Sequence, residues 1–388
     1  MYKIQTLNKI SDIIYTQLNA DYAVSSEETA PDAILVRSAA MHEMEFGPEL
    51  KAIGRAGAGV NNIPIDRCSR EGIVVFNTPG ANANAVAELV ICALLMSGRN
   101  VAGGIEWART LKGKGAEVGK LVEKGKSQFV GPEMRGKTLA VIGLGAIGAR
   151  VANAASRGLG MNVVGYDPFI SVESAWSLST SVHRAASADE AIARADYITF
   201  HVPLIDSTRG SINGEMIGKM KDGAVILNFS RGELADSAAV LEAVAAGKLG
   251  GYVTDFPSDD MLCQDKVICI PHLGASTPES EENCASMAAA EVRDYLETGC
   301  IHNSVNFPEI QLGKPEAARI LVLHENIPNT ISPISAAVSA EGINIENLIN
   351  KSKKEMAVTV MDVPVLPSAG ALETIAKIPG VFRIRTFG

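Results

Sequence analysis

The stretch Thr138-Leu139-Ala140-Val141-Ile142-Gly143-Leu144-Gly145-Ala146-Ile147-Gly148 decides the fold. A short apolar, β-branched run, Thr138–Ile142, reads as a buried strand. It runs straight into the glycine pattern GxGxxG, and Ala149–Arg157 reads as a helix. Glycine is common here, 36 of 388 residues, so the pattern alone is weak; its place between strand and helix makes it specific. Glycines permit a tight turn and close approach of a pyrophosphate, and the helix N-terminus offers amide donors. Gly143, Gly145, Ala146, Ile147 and Gly148 are therefore the candidate phosphate cradle. A second strand, Asn162–Tyr166, ends at Asp167, where a carboxylate can accept ribose hydroxyls. Its charge would repel the extra phosphate of NADP, so the expected cofactor is NAD.

Strand and helix alternate outward from this turn. Strands are expected at Tyr197–Phe200, Ala224–Asn228, Gly251–Thr254 and Val267–Ile270, apolar enough to be covered on both faces. Upstream, Ala33–Val36, Lys51–Gly54 and Ile73–Phe76 read as strands and Pro64–Glu71 as a helix. Ala83–Leu111 and Glu279–Thr298 are helical in pattern. Lys112–Lys126 resembles a P-loop at a glance, but Lys114 and Leu121 break the motif, leaving a solvated connection or polar helix. After the linker Gln311–Pro315, six short segments follow in the order βαββαβ. The expected fold class is α/β: two doubly wound, Rossmann-like parallel-sheet domains plus a C-terminal ferredoxin-like domain.

Hydrophobic residues at 47% and charged residues at 20% suit a compact core in a chain long enough for several domains. A net charge of −9 argues against a nucleic-acid or anionic-membrane partner. Cys68, Cys92, Cys263, Cys269, Cys284 and Cys300 show no metal-ligand spacing, so free thiols in a reducing cytoplasm and no metal are expected. The N-terminus lacks a signal-peptide pattern.

Two further strand ends carry chemistry: Asn228-Phe229-Ser230-Arg231-Gly232 and Pro271-His272-Leu273-Gly274. In open parallel sheets, ligands bind at the carboxyl ends of strands. Oxidising an alcohol needs a base for the hydroxyl proton, and histidine titrates near working pH. A carboxylate substrate needs a cation, and arginine offers a planar fork. A packed histidine and a surface arginine are the plain alternatives.

Gly143–Gly148, Asp167, His201-Val202-Pro203-Leu204, Asn228–Gly232, Asp255 and Pro271–Thr277 together resemble the D-2-hydroxyacid dehydrogenase family. The resemblance implies that Arg231 holds the substrate and His272 is the general acid/base. It implies cofactor contacts at His201, Val202, Pro203, Ser230, Asp255, His272 and Gly274. The family places a glutamate beside the histidine; Asp260 stands at that position, one methylene shorter, with Asp259 as its rival. The layout implied is a substrate domain of residues 1–98 and 281–306, a cofactor domain of 99–280, and a regulatory domain of 317–388.

Val36-Arg37-Ser38-Ala39 and Gly54–Asn62 resemble segments of family members acting on 3-phosphoglycerate. Substrate contacts are thereby implied for Arg37, Ser38, Arg55, Ala58, Gly59 and Val60, with Arg37 and Arg55 on the phosphate. His324-Glu325-Asn326-Ile327-Pro328 is similar to the ACT regulatory domain, implying a serine effector at His324, Asn326 and Asn344 and a homodimer or homotetramer. Asn329 stands where glycine usually follows that proline. The function implied is NAD-dependent oxidation of 3-phospho-D-glycerate in serine biosynthesis. The alternatives are a broad 2-oxoacid reductase and a non-catalytic NAD sensor.

Overall fold

The computed structural model describes residues 1–388. It divides into two compact units: Met1–Ala81 with Pro278–Gly388, and Asn82–Thr277.

The first unit opens with five parallel strands, β1 Tyr2–Leu7, β2 Tyr22–Ser25, β3 Ala33–Val36, β4 Ala52–Arg55 and β5 Val74–Asn77, in the order β2-β1-β3-β4-β5. The first two were not among the strands expected from sequence. Side chains alternate across the sheet. Ala33, Leu35, Val74 and Phe76 face the helix Pro278–Thr298, while Ile34, Val36, Ile53 and Val75 pack with Met41, Ile63 and Cys68.

Seven parallel strands build the second unit: β6 Thr138–Ile142, β7 Asn162–Tyr166, β8 Val182–Arg184, β9 Tyr197–Phe200, β10 Ala224–Asn228, β11 Leu249–Thr254 and β12 Val267–Cys269. Their order is β12-β11-β10-β9-β6-β7-β8, so the strand sequence reverses between β6 and β9. Ala140 and Ile142 join one core with helices Ala188–Arg194 and Ser237–Ala245; Leu139 and Val141 join the opposite core. Both faces are covered, as the apolar strands require.

Helix Ala83–Gly98 groups with this second unit, whereas the sequence placed residues 1–98 together. The reason is its buried stripe. Val86, Ala87, Val90, Ala93 and Leu94 pack with Val151, Ala152 and Ala155 over β6 and β10. The helical run expected through Leu111 breaks by 71° before a second helix, Val101–Arg109. Arg99, in extended backbone, ends the first, and Asn100 caps the second, accepting the Gly103 N–H at 3.0 Å. No single helix is long and apolar enough to cross a membrane.

The C-terminal module holds β13 Ala318–Glu325, β14 Asn347–Lys353, β15 Met356–Val363 and β16 Val381–Phe387, antiparallel in the order β14-β15-β13-β16. Helices Ile331–Ser339 and Ala369–Ala376 cover one face through Ile334, Val338 and Ile375. Leu321, Leu323, Val358 and Val360 on the other face join the core containing Tyr295 and Ile301, so this module groups with the first unit.

Candidate active site

The glycine turn follows β6 at the point of strand reversal. Gly143 has φ +92°, and a Cβ there would lie 2.4 Å from the His201 carbonyl oxygen, so only glycine fits. Helix Ala146–Asn153 begins inside the motif, three residues earlier than the sequence pattern suggested. Asp167, just after β7, accepts the Leu144 N–H at 2.8 Å and the Phe169 N–H at 2.8 Å. Its carboxylate thus braces the turn and retains lone pairs for a further donor.

His201 follows β9. Its Nε2 sits 3.0 Å from Thr199 Oγ1, and its Nδ1 is buried without a partner. Burial pushes the imidazole down to about 4, so it stays neutral. Ser230 donates its hydroxyl to the Phe200 carbonyl at 2.7 Å, tying the β10 end to β9.

Asn228, Thr254 and Cys269 stand in register across β10, β11 and β12. Arg231, Asp255 and His272 follow these three strand ends directly, with Asp255 on the middle one. Asp255 is 2% exposed, and its Oδ1 has no partner. Burial pushes its carboxyl up, while the charges of His272 and Arg231 pull it back. One buried carboxylate therefore feels both the guanidinium and the imidazole. His272 is exposed and rests on the Phe256 ring, centroids 4.8 Å apart.

Asp260 does not take the place expected for it. Its carboxylate accepts the Ser258 hydroxyl at 2.5 Å, and no hydrogen bond or ion pair joins it to His272. The short side chain closes its own loop instead. Asp259 is exposed and equally unconnected to the imidazole.

The first unit carries its own glycine-rich turn after β4. Gly57 has φ +142°, and a Cβ there would lie 1.6 Å from Arg55 Nη1, so the guanidinium lies across the glycine. Asn77 Nδ2 donates to the Ala58 carbonyl at 2.6 Å and the Thr78 N–H to the Gly57 carbonyl at 3.2 Å. The N–H groups of Ala58, Gly59 and Val60 make no bond within the protein, leaving donors fit for an anion. Arg37 is paired with Glu281 at 2.8 Å, and the Ser38 N–H donates to Asn8 Oδ1 at 3.0 Å. Neither Glu281 nor Asn8 stood out in the sequence.

The C-terminal candidates separate. His324 is 2% exposed, with Nδ1 2.7 Å from the Glu325 carbonyl and Nε2 2.8 Å from Thr359 Oγ1. It is a buried histidine with both ring nitrogens occupied within the module. Asn326 is exposed and donates to the Lys354 carbonyl at 3.0 Å, and Asn344 is exposed. Asn329 adopts φ +65°, the left-handed conformation that explains glycine's usual place there.

Residues 93–274 match the family described as D-isomer specific 2-hydroxyacid dehydrogenase, NAD binding domain. A D-3-phosphoglycerate dehydrogenase of Haemophilus influenzae is 32% identical over 354 residues, 88% of this chain and 82% of that protein. The chain belongs to the D-2-hydroxyacid dehydrogenase family. Another relative of that name, from Methanocaldococcus jannaschii, is 37% identical over 324 residues, 80% of this chain and 59% of its own length. This dehydrogenase-family chain thus spans 49 to 59% of several curated relatives. The crystal structure of NAD+-bound 3-phosphoglycerate dehydrogenase from Entamoeba histolytica superposes with a TM-score of 0.61 at 29% identity. It covers 79% of this chain and 98% of that one. NAD fits the residues present: the turn at Gly143 has no room for a side chain, and Asp255 Oδ1 is an orphaned buried acceptor.

Proposed function

We propose that this chain oxidises 3-phospho-D-glycerate to 3-phosphohydroxypyruvate, a reading supported by its similarity to D-3-phosphoglycerate dehydrogenases. The observation that carries the reading is the succession Arg231, Asp255, His272 on three adjacent strand ends. NAD, when bound, supplies the hydride acceptor. The turn Gly143–Gly148, with Asp167 behind it, would hold the dinucleotide phosphates and ribose, and His201, Val202, Pro203, Ser230 and Gly274 would line it. Asp255 Oδ1 would take the carboxamide.

The remaining chemistry belongs to side chains. Arg231 binds the substrate carboxylate through its guanidinium fork. The His272 imidazole removes the hydroxyl proton, and the carboxylate of Asp255 stabilises the imidazolium that results. Free amides at Ala58, Gly59 and Val60 suit an anionic group, and Arg37 and Arg55 suit the phosphate. The pairing of Arg37 with Glu281 favours a second reading, a broader 2-oxoacid reductase that ignores phosphate.

The βαββαβ order and strand order of the C-terminal module fit the ferredoxin-like arrangement of an ACT domain. We read it as regulatory, with Asn326 and Asn344 as its exposed serine contacts; added serine should lower NADH production. Exposed Leu95, Val101 and Ile105 support self-association, which light scattering would register.

The test is NADH formation from 3-phospho-D-glycerate. H272A and R231A should each lose about 10²–10⁴-fold in kcat. D255N should depress kcat and shift its pH profile, whereas D260N should stay within about threefold of wild type. Wild-type rates in H272A would refute the assignment, and damage confined to D260N would return the acidic partner to that residue.

A further inference from the structure

Helix Pro278–Thr298 buries a carboxyl group that nothing above uses. Glu291 is 5% exposed; its Oε1 accepts the Asn303 Nδ2 at 2.7 Å, and its Oε2 is buried without a partner. No lysine, arginine or histidine pairs with it. An ionised carboxylate in that place would be a buried charge with one hydrogen bond and no counter-ion, a costly arrangement.

The connection leads to the glycine-rich turn. Asn303, at φ +55°, presents its carbonyl to the Asn77 N–H at 3.4 Å. Asn77, paired with Arg55 across β5 and β4, donates Nδ2 to the Ala58 carbonyl at 2.6 Å. We infer that Glu291 is a positioning residue that holds the turn Gly57–Val60 through Asn303 and Asn77. The inference rests on the proposed role of that turn in binding the substrate anion.

With Oε2 unpartnered and no counter-ion, burial favours the neutral form of Glu291. Burial raises its carboxyl to about 8, with Asp294 pushing the same way and the Asn303 bond opposing. The other charged groups on packed elements do not act on it. Arg293 binds Asp294, His302 binds Glu309, Lys353 donates to the Ser304 carbonyl, and Arg55 lies over Gly57. A carboxyl raised in the folded chain binds more protons folded than unfolded. Stability therefore falls as pH rises from about 4.5 to about 8, and is level above.

The experiment compares wild type, E291Q and E291A across that range and up to about pH 9. Wild-type KM for 3-phospho-D-glycerate should climb several-fold above about pH 8 with kcat unaffected, while E291Q keeps a flat KM. E291A, lacking the acceptor, should show the raised KM throughout. Hydrogen exchange at the Asn77 and Thr78 amides gives a readout independent of catalysis: protection should drop with pH in wild type and hold in E291Q. Parallel KM and protection profiles in wild type and E291Q would overturn the inference, even if E291A failed to fold. An inactive wild type whose protection still follows Glu291 would instead sink the proposed substrate while leaving the positioning role intact.

Discussion

Two glycine turns, each after a parallel strand, are held in opposite ways. At Gly143 the obstacle to a side chain is backbone, the His201 carbonyl of the neighbouring strand end. At Gly57 the obstacle is the far end of a flexible side chain, the Arg55 guanidinium. The first turn is locked by the sheet itself and opens a helix. The second opens none and is tied from the end of β5, by the Asn77 side-chain amide and the Thr78 N–H, with the Asn303 carbonyl accepting the Asn77 N–H behind them. A rigid cradle suits a cofactor of constant shape; a turn held by side chains can be tuned to a substrate.

The contrast can be broken by substitution. G143A combines a disfavoured φ with a backbone clash and should cost about 3 kcal/mol or more, abolishing NADH binding measured by fluorescence. R37A tests the other unit. It should lower kcat/KM for the phosphorylated acid about 10–100-fold, leave D-glycerate unaffected, and change stability by under about 1 kcal/mol, since the pair with Glu281 is exposed. G57A should be milder than G143A, about 1–2 kcal/mol, raising substrate KM while NADH affinity stays near wild type.

The smallest effect should be a pH dependence in the cofactor unit. His201 is held down to about 4 against an ordinary 6.5, so its folded form binds fewer protons than the unfolded chain between those values. Stability is intact above about pH 6.5 and falls as pH drops, by on the order of 1 kcal/mol at about pH 5.5. H201Q should flatten the melting temperature over that interval; an unchanged slope would mean the ring is not buried neutral.

The same contrast explains what the sequence made legible. The cofactor turn announces itself because its determinants are adjacent: strand, glycines, helix and, after one more strand, Asp167. β6, β7, β9 and β10 carry unbroken apolar runs and match their expected bounds. β1 escaped notice because Lys3 and Gln5 interrupt its apolar run, and β2 because its four residues, Tyr22-Ala23-Val24-Ser25, hold only two aliphatic ones. For helix Ala83–Gly98 the buried stripe is legible in the sequence but its packing partners, Val151, Ala152 and Ala155, are not. His324 looked like a ligand by motif, yet in the fold its ring nitrogens meet the Thr359 hydroxyl on neighbouring β15 and the Glu325 carbonyl, contacts the motif does not reveal. Asp260 likewise had the expected charge at the expected spacing, but its carboxylate bonds Ser258 within its own loop.

Hydrogen tracing tests the central claim most directly. With 3-phospho-D-glycerate deuterated at the hydroxyl-bearing carbon, the reduced nicotinamide released should carry that deuterium, and H272A should release almost none. Reduced cofactor without the label, or no reduction with an unphosphorylated hydroxyacid turned over instead, would contradict the account.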